Sequence, residues 1–212
     1  MGSKNHAMPG FYGKNIVKSA QNRYLSGKKT TNQIVHDHRD STANVVVMCI
    51  LAALNNVAGI GQVRLDRVID KANHYAELYA VKKNILGDEK AKAELETEVA
   101  GIMPPDGFVL PYLTTPKKKK DWILQYEKRD SGELVAMLYA KAIHKVLGFG
   151  AERIKEVLDN AMEVYREFGE YAKDGDYYGY KVLADRMTQI MHTQIDVDES
   201  EADEPIFGDS LT

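Results

Sequence analysis

A run of four lysines ahead of a tryptophan is the segment of this 212-residue chain whose residue types most directly suggest binding chemistry. The segment "PKKKKDW" holds Lys117, Lys118, Lys119, Lys120 and Trp122. Tyr126 lies nearby in the sequence. Lysine ammonium groups bind phosphate oxygens, and aromatic rings stack on bases. The segment therefore predicts contacts with a nucleic acid, and the alternative is a solvated loop beside aromatics that belong to the core.

Two other segments place a pair of glycines, separated by one apolar residue, shortly before an arginine. The residues concerned are Gly59, Gly61 and Arg64 in the first segment, and Gly148, Gly150 and Arg153 in the second. An arginine in the first turn of a helix opposes the helix dipole, so its recurrence favours a role in binding a partner. The alternative is a structural turn followed by a solvated side chain.

The stretch "NNVAGIGQVR" resembles the helix-hairpin-helix motif. That resemblance implies that the hairpin amides and the following helix N-terminus bind a DNA phosphate without recognising base sequence. The motif has a small residue four places after the second glycine. This chain has Leu65 in one copy and Ile154 in the other.

Groups that bind metals are present but are not arranged as a recognisable site. The segment "HDHRD", residues 36–40, has suitable side chains without a second set at matching spacing, so we expect neither a metal nor a cofactor. The segment "EVYREFGEYAKDGD" resembles the carboxylate clusters of Mg²⁺-dependent nucleotide pyrophosphohydrolases. That pattern is an E-x-x-E element followed by an E-x-x-D element on a second helix. Glu167 and Glu170 supply the first element, whereas the E-x-x-D pair of this chain, Glu156 and Asp159, precedes it instead of following it.

The glycine segments belong to a longer repeat that determines the predicted fold. Residues 57–72 and 146–161 are identical at seven of sixteen positions, and apolar residues follow both glycine pairs with α-helical spacing. Each unit predicts a helix, a Gly-apolar-Gly turn and a second helix. The first glycine suits a left-handed position that ends a helix, and the apolar residue between the glycines, Ile60 or Phe149, then packs back as in a Schellman motif.

The predicted fold is all-α, with two pseudo-repeated helix-turn-helix hairpins packed as a helical bundle and with extended termini. A charged helix is predicted over residues 88–100 and a last helix over 180–192. "DSGE", residues 130–133, resembles a capping box ahead of the second hairpin. The predicted divisions are a basic arm, a first hairpin, a charged helix with a Pro-rich linker, a second hairpin with the final helix, and an acidic tail, at residues 1–40, 41–84, 85–130, 131–192 and 193–212.

Charge and composition favour an intracellular binding protein. The net charge of −3 combines a basic arm, with seven Lys/Arg against two Asp, and a tail with seven acids and no base. The single cysteine, Cys49, excludes an internal disulfide and is expected to be an inert core thiol. No run of about 18 apolar residues is present, so we expect no membrane span, and the N-terminus lacks the apolar segment of a signal peptide.

Residues 136–168, with "VLGFGAERIKEVLDNA" at their centre, resemble small helical proteins of phages and prophages of Gram-positive bacteria, a group without an assigned activity. Together these features predict a non-enzymatic, phage-encoded protein in the host cytoplasm, or associated with the virion. It would bind nucleic acid through backbone contacts, or a host protein that handles nucleic acid, as a regulator or counter-defence factor. One alternative is an assembly protein whose arms lock neighbouring subunits into a homo-oligomer. Another is the Mg²⁺-dependent nucleotide hydrolase.

Overall fold

Six helices and no strand make up the part of the chain that the computed structural model describes, residues 31–113, 115–173, 175–195 and 197. The helices are α1 (Thr31–Ala58), α2 (Gln62–Leu86), α3 (Asp88–Val99), α4 (Lys119–Leu147), α5 (Ala151–Ala172) and α6 (Asp176–Met191). The all-α prediction is confirmed. Helix α3 matches the predicted charged helix, and α6 begins four residues before the predicted start of the final helix.

Helix α1 lies at the centre of the core because its second half has no polar face. Every residue from Val45 to Leu54 is buried, and the helix packs against α4, α5 and α6. A helix that is apolar around its circumference must be covered on all sides. Cys49 lies inside this run, and burial raises the pKa of its thiol far above the ordinary value. The thiol therefore stays protonated at neutral pH, as expected for a core cysteine.

One helical segment among the described residues, Val35–Ala58, is long and apolar enough to cross a membrane by length and composition, with a mean hydropathy of 1.6. No such segment is predicted from the sequence, which has no run of about 18 apolar residues. Two thirds of the most apolar 18 residues of this helical segment are buried inside the fold. A core helix meets the same criteria as a membrane span, and the burial of α1 against three other helices accounts for its apolar character.

The second helix of each predicted hairpin packs mainly on the first helix of the other. Helix α5 lies along α1, and α2 lies along α4. In the first pair, the Asn56 amide donates to the Asn160 side-chain oxygen at 2.8 Å. In the second, the Lys141 ammonium lies 4.3 Å from the centre of the Tyr75 ring. The apolar stripe of each second helix is thus covered by the first helix of the other hairpin. The duplication of the sequence stays a prediction.

Both Gly-apolar-Gly turns have the predicted left-handed residue. Gly59 has φ +59° and Gly148 has φ +69°, and each donates its amide hydrogen to the carbonyl four residues earlier. This hydrogen bond is the one found in the αL motif, whereas the sequence analysis expected the Schellman pattern. Ile60 and Phe149 are buried, as predicted. The left-handed glycine therefore reverses the chain and returns an apolar side chain to the core.

Helix α4 passes through residues 130–133 without a break, so the capping-box prediction is wrong. The polar side chains of this segment make tertiary contacts instead: the Ser131 hydroxyl donates to the Arg39 carbonyl at 2.9 Å. Gly132 lies against Leu110, whose Cδ1 would be 2.5 Å from a Cβ at that position. The glycine permits close approach of the Pro-rich loop, and the predicted boundary at 130/131 falls inside one helix.

An ionic network joins α1, α3 and α4. The Arg39 guanidinium pairs with Glu127 and, at 2.8 Å, with Asp130. The Lys92 ammonium lies 2.8 Å from Asp130 and 2.7 Å from Glu133. Burial alone raises the pKa of Asp130, but hydrogen bonds and charge from Lys92 and Arg39 outweigh that effect and hold the pKa below its usual value. Shared partners of this kind stabilise more than isolated surface pairs.

The arm boundary also differs from the prediction. Helix α1 begins at Thr31, so residues 31–40, assigned to the basic arm, belong to the fold. Few apolar residues occur in these positions, and periodicity therefore gave no helical signal. Residues 1–30 of the predicted arm and 198–212 of the predicted acidic tail lie outside the described residues.

Candidate nucleic-acid-binding surface

The four lysines lie at the start of α4 and all are exposed. Lys117 and Lys118 precede the helix, and Lys119 and Lys120 form its first turn. Asp121 fixes this start, because its carboxylate accepts hydrogen bonds from the amides of Lys118, at 2.8 Å, and Lys117, at 3.0 Å. These bonds lower the pKa of Asp121. The acid that lies closest to the lysines in sequence is therefore engaged by the backbone.

The aromatic side chains beside the lysines are exposed, not part of the core. Trp122 is 51% exposed and Tyr126, one turn further along α4, is 69% exposed. Ile123, between them, is also about half exposed. Leu124 and Lys128 are the neighbouring residues that face inward. The alternative that placed these aromatics in the core is therefore wrong.

Two residues that the sequence analysis missed hold the tryptophan in place. The Tyr112 ring meets the Trp122 indole edge to face, with centroids 5.7 Å apart. The Arg129 guanidinium lies 3.6 Å from the centre of the Tyr112 ring, and its Nε donates to the Leu110 carbonyl at 2.9 Å. No spacing rule relates Tyr112, in the loop, to residues on α4, so the sequence carried no signal for this group.

The surface is positively charged. Residues 117–130 contain six Lys/Arg and three Asp/Glu. Of the three acids, Asp121 accepts backbone hydrogen bonds, while Glu127 and Asp130 pair with an arginine of α1. Within the described residues, none of the four lysines forms an ion pair with a side chain. Their charge is therefore available to a ligand.

The two glycine turns share the same backbone geometry at their second glycine. Gly61 and Gly150 have extended backbone, with φ −89° and −83°, and begin α2 and α5. Arg64 and Arg153 follow them and are exposed. The Arg153 guanidinium lies 4.6 Å from the centre of the ring of the preceding Phe149. That contact gives this arginine a role within the turn.

The structure does not bring the lysine run and the second turn together. They flank opposite ends of α4, which has 29 residues and is about 42 Å long at 1.5 Å per residue. Lys119 begins the helix, and Gly148 follows its last residue. The predicted binding residues therefore belong to at least two surfaces.

Candidate metal ligands are dispersed. His36 lies 3.0 Å from Asp40, whereas His38 is buried. Glu167 pairs with Arg186 on α6. Nowhere in the part of the chain covered by the structure do three or more His, Cys, Asp or Glu residues form a group suited to a metal ion. The hydrolase alternative gains no support here and stays untested.

The outer face of α2 carries an apolar stripe that the sequence analysis also missed. Leu78, Val81 and Ile85 are exposed, and their spacing places them on one side of the helix. In the aligned repeat, Glu167 and Glu170 of α5 correspond to the first two of these residues. The apolar spacing common to both copies predicts only their buried faces, so a face that one copy alone has gives no signal.

No family model, curated protein or solved structure matches this chain. The resemblances to phage-encoded helical proteins and to the helix-hairpin-helix motif therefore stay predictions based on short segments.

Proposed function

We propose that this protein binds nucleic acid, without covalent chemistry, through the exposed surface at the start of α4. We call this the lysine–tryptophan surface and define it by Lys117, Lys118, Lys119, Lys120, Trp122 and Tyr126. The observation that carries the proposal is the juxtaposition of two exposed aromatic rings with four exposed lysines that form no ion pair within the described part of the chain. Aromatic side chains that serve only the fold are mostly buried, so exposed ones beside clustered charge favour a binding role.

Charge supplies the affinity in this proposal. Lysines that neutralise phosphates release condensed counterions, and this term does not depend on base sequence. The neighbouring acids do not oppose it fully, because Asp121 is bound to backbone amides and Glu127 to an arginine. We therefore expect binding to mixed-sequence nucleic acid with little preference among sequences.

The glycine turns have a structural role in this proposal. Gly59 and Gly148 reverse the chain through left-handed backbone, and Arg153 stacks on Phe149. These contacts account for Gly59, Gly148 and Arg153 without a ligand, and Arg64 is an exposed side chain. Replacing Arg64 and Arg153 by Gln should therefore leave nucleic acid binding nearly unchanged.

The test is fluorescence anisotropy with end-labelled, mixed-sequence DNA and RNA at low salt. We expect binding by the natural protein and a loss of affinity when all four lysines of the surface are replaced by Gln. The matched control replaces four other exposed lysines by Gln: Lys90, Lys145, Lys155 and Lys173. Both variants have the same net charge, so equal losses would contradict a localised site. Absence of binding by the natural protein at low salt would refute the proposal.

The apolar stripe of α2 supports a second candidate function, assembly with further copies of the chain. A solvent-facing helix normally carries polar residues on its outer face, as α5 does with Glu167 and Glu170. The variant Leu78→Glu/Val81→Glu gives α2 the side chains of its repeat partner. Sedimentation equilibrium should show concentration-dependent association of the natural protein and a monomeric variant. A natural protein that stays monomeric at high concentration would exclude this candidate.

A further inference from the structure

The geometry points to single-stranded nucleic acid as the ligand of the lysine–tryptophan surface, with Trp122 and Tyr126 stacking on unpaired bases. This inference rests on the proposed nucleic-acid-binding function and narrows it to one class of ligand. It also assigns positioning roles to Tyr112 and Arg129.

The placement of the two rings is the first step. Trp122 and Tyr126 are four residues apart on α4, so their Cβ atoms are neighbours on one face, about 5–6 Å apart. About half of the tryptophan and two thirds of the tyrosine are exposed. Two adjacent rings can therefore receive bases from outside without rearrangement of the helix.

The second step concerns what a duplex offers. Paired bases stack on one another and present only their edges in the grooves, whereas unpaired bases present their faces to aromatic side chains. A duplex on this surface would bring its phosphates against the apolar atoms of Trp122, Ile123 and Tyr126. Apolar atoms make no favourable contacts with phosphates. A single strand, in contrast, would cover these atoms with its bases while its phosphates bind the lysines.

Pre-organisation of the tryptophan is the third step. Tyr112 is held between the Arg129 guanidinium, 3.6 Å from its ring centre, and the Trp122 indole. Arg129 is itself fixed by its hydrogen bond to the Leu110 carbonyl. Holding a ring in place before binding lowers the conformational entropy lost on association. Tyr112 and Arg129 therefore act through Trp122 and need not touch the ligand.

The chain provides its own reporter, because Trp122 is its single tryptophan. The experiment titrates the full-length protein with a mixed-sequence DNA oligonucleotide, either single-stranded or annealed to its complement, at the same salt concentration. Intrinsic fluorescence reports stacking on Trp122, and anisotropy of an end label reports binding. We expect the single strand to quench Trp122 and to bind at least about 10-fold more tightly than the duplex, because stacking on each base is lost in the duplex.

Variants separate stacking from charge. Trp122→Leu and Tyr126→Leu keep apolar, helix-forming side chains without a ring, and each should weaken single-strand binding by about 5- to 100-fold. Duplex binding should not change. Tyr171→Leu is the matched control, since Tyr171 is a similarly exposed tyrosine on α5. Far-UV circular dichroism and urea unfolding of each variant will show whether the fold is retained.

The positioning roles have a readout that does not depend on a ligand. Tyr112→Leu and Arg129→Gln should make the Trp122 ring more mobile in the free protein, measured by time-resolved fluorescence anisotropy, and should weaken single-strand binding. An unchanged ring mobility would refute these roles.

The outcomes distinguish this inference from the proposal beneath it. The single-strand inference would be overturned if single strand and duplex bound with equal affinity and Trp122 fluorescence did not change. If that binding still needed the four lysines, the proposed nucleic-acid-binding function would stand. Absence of binding to either form would overturn both. Quenching by the single strand that disappears in the lysine variant would support both.

Discussion

The substitution Gly→Ser is expected to destabilise the protein at the left-handed Gly59 and Gly148, but not at Gly61 and Gly150, two residues further along the chain. Gly59 and Gly148 have φ values of +59° and +69°, and none of the described residues lies within 4 Å of a Cβ added at either. Gly→Ser at these positions should therefore cost backbone strain alone, about 1–2 kcal/mol of unfolding free energy each. Because the added Cβ has no such neighbour, the measured loss reports mainly the conformational requirement.

Gly61 and Gly150 are the matched controls. They have extended backbone at the N-cap, and a Cβ there also has no neighbour within 4 Å in the part of the chain that the structure describes. Serine is a favoured N-cap residue that also restricts the unfolded chain, so Gly→Ser should be neutral or stabilise by up to about 1 kcal/mol. The assay is urea unfolding followed by far-UV circular dichroism. A loss at the control positions equal to that at Gly59 and Gly148 would refute the assignment of the turns.

Three further predictions concern the fold. Asp130→Asn should lower the unfolding free energy at neutral pH and flatten the dependence of that free energy on pH in acid. The pKa of Asp130 is lower in the folded than in the unfolded protein, so the stabilisation by this carboxylate is present above about pH 4 and is lost as the pH falls through the folded pKa. Unfolding experiments at several pH values will measure this. Gly132→Ala should lower the unfolding free energy by about 1 kcal/mol, because the added Cβ clashes with Leu110. In a Leu110→Ala background the same substitution should raise it by about 1 kcal/mol, since only the higher helix propensity of alanine remains. A change of the same sign in both backgrounds, measured by urea unfolding, would contradict this packing. Deleting residues 1–40 should destabilise the protein in urea unfolding, because it removes the first part of α1 and the ion pairs of Arg39.

Patterns that depend only on local sequence predicted the fold well. Helical spacing of apolar residues identified the all-α class, and the glycine pairs identified both turns, including the left-handed φ values of Gly59 and Gly148. These features are local because a helix period or a left-handed residue is determined by a few neighbouring positions. The buried positions of Ile60 and Phe149 followed from the same local geometry.

Features that depend on distant contacts could not be predicted. The sequence of residues 130–133 matches a helix start, yet the segment lies inside α4, where the Ser131 hydroxyl donates to a carbonyl of α1 and Gly132 packs against Leu110. Tyr112 and Arg129 meet because the Pro-rich loop folds back on α4. Their positions in the sequence give no periodic signal, so the organisation of the candidate surface emerged only from the structure.

The salt dependence of nucleic acid binding tests the central claim most directly. Each phosphate neutralised on a single strand contributes about −0.7 to the slope of log Kobs against log salt concentration. If the four lysines of the lysine–tryptophan surface contact phosphates, replacing them by Gln should make that slope shallower by about 2–3 units. The control variant with Gln at four other exposed lysines should keep the natural slope. A slope that is unchanged in the lysine–tryptophan variant, or that falls equally in both, would contradict the account.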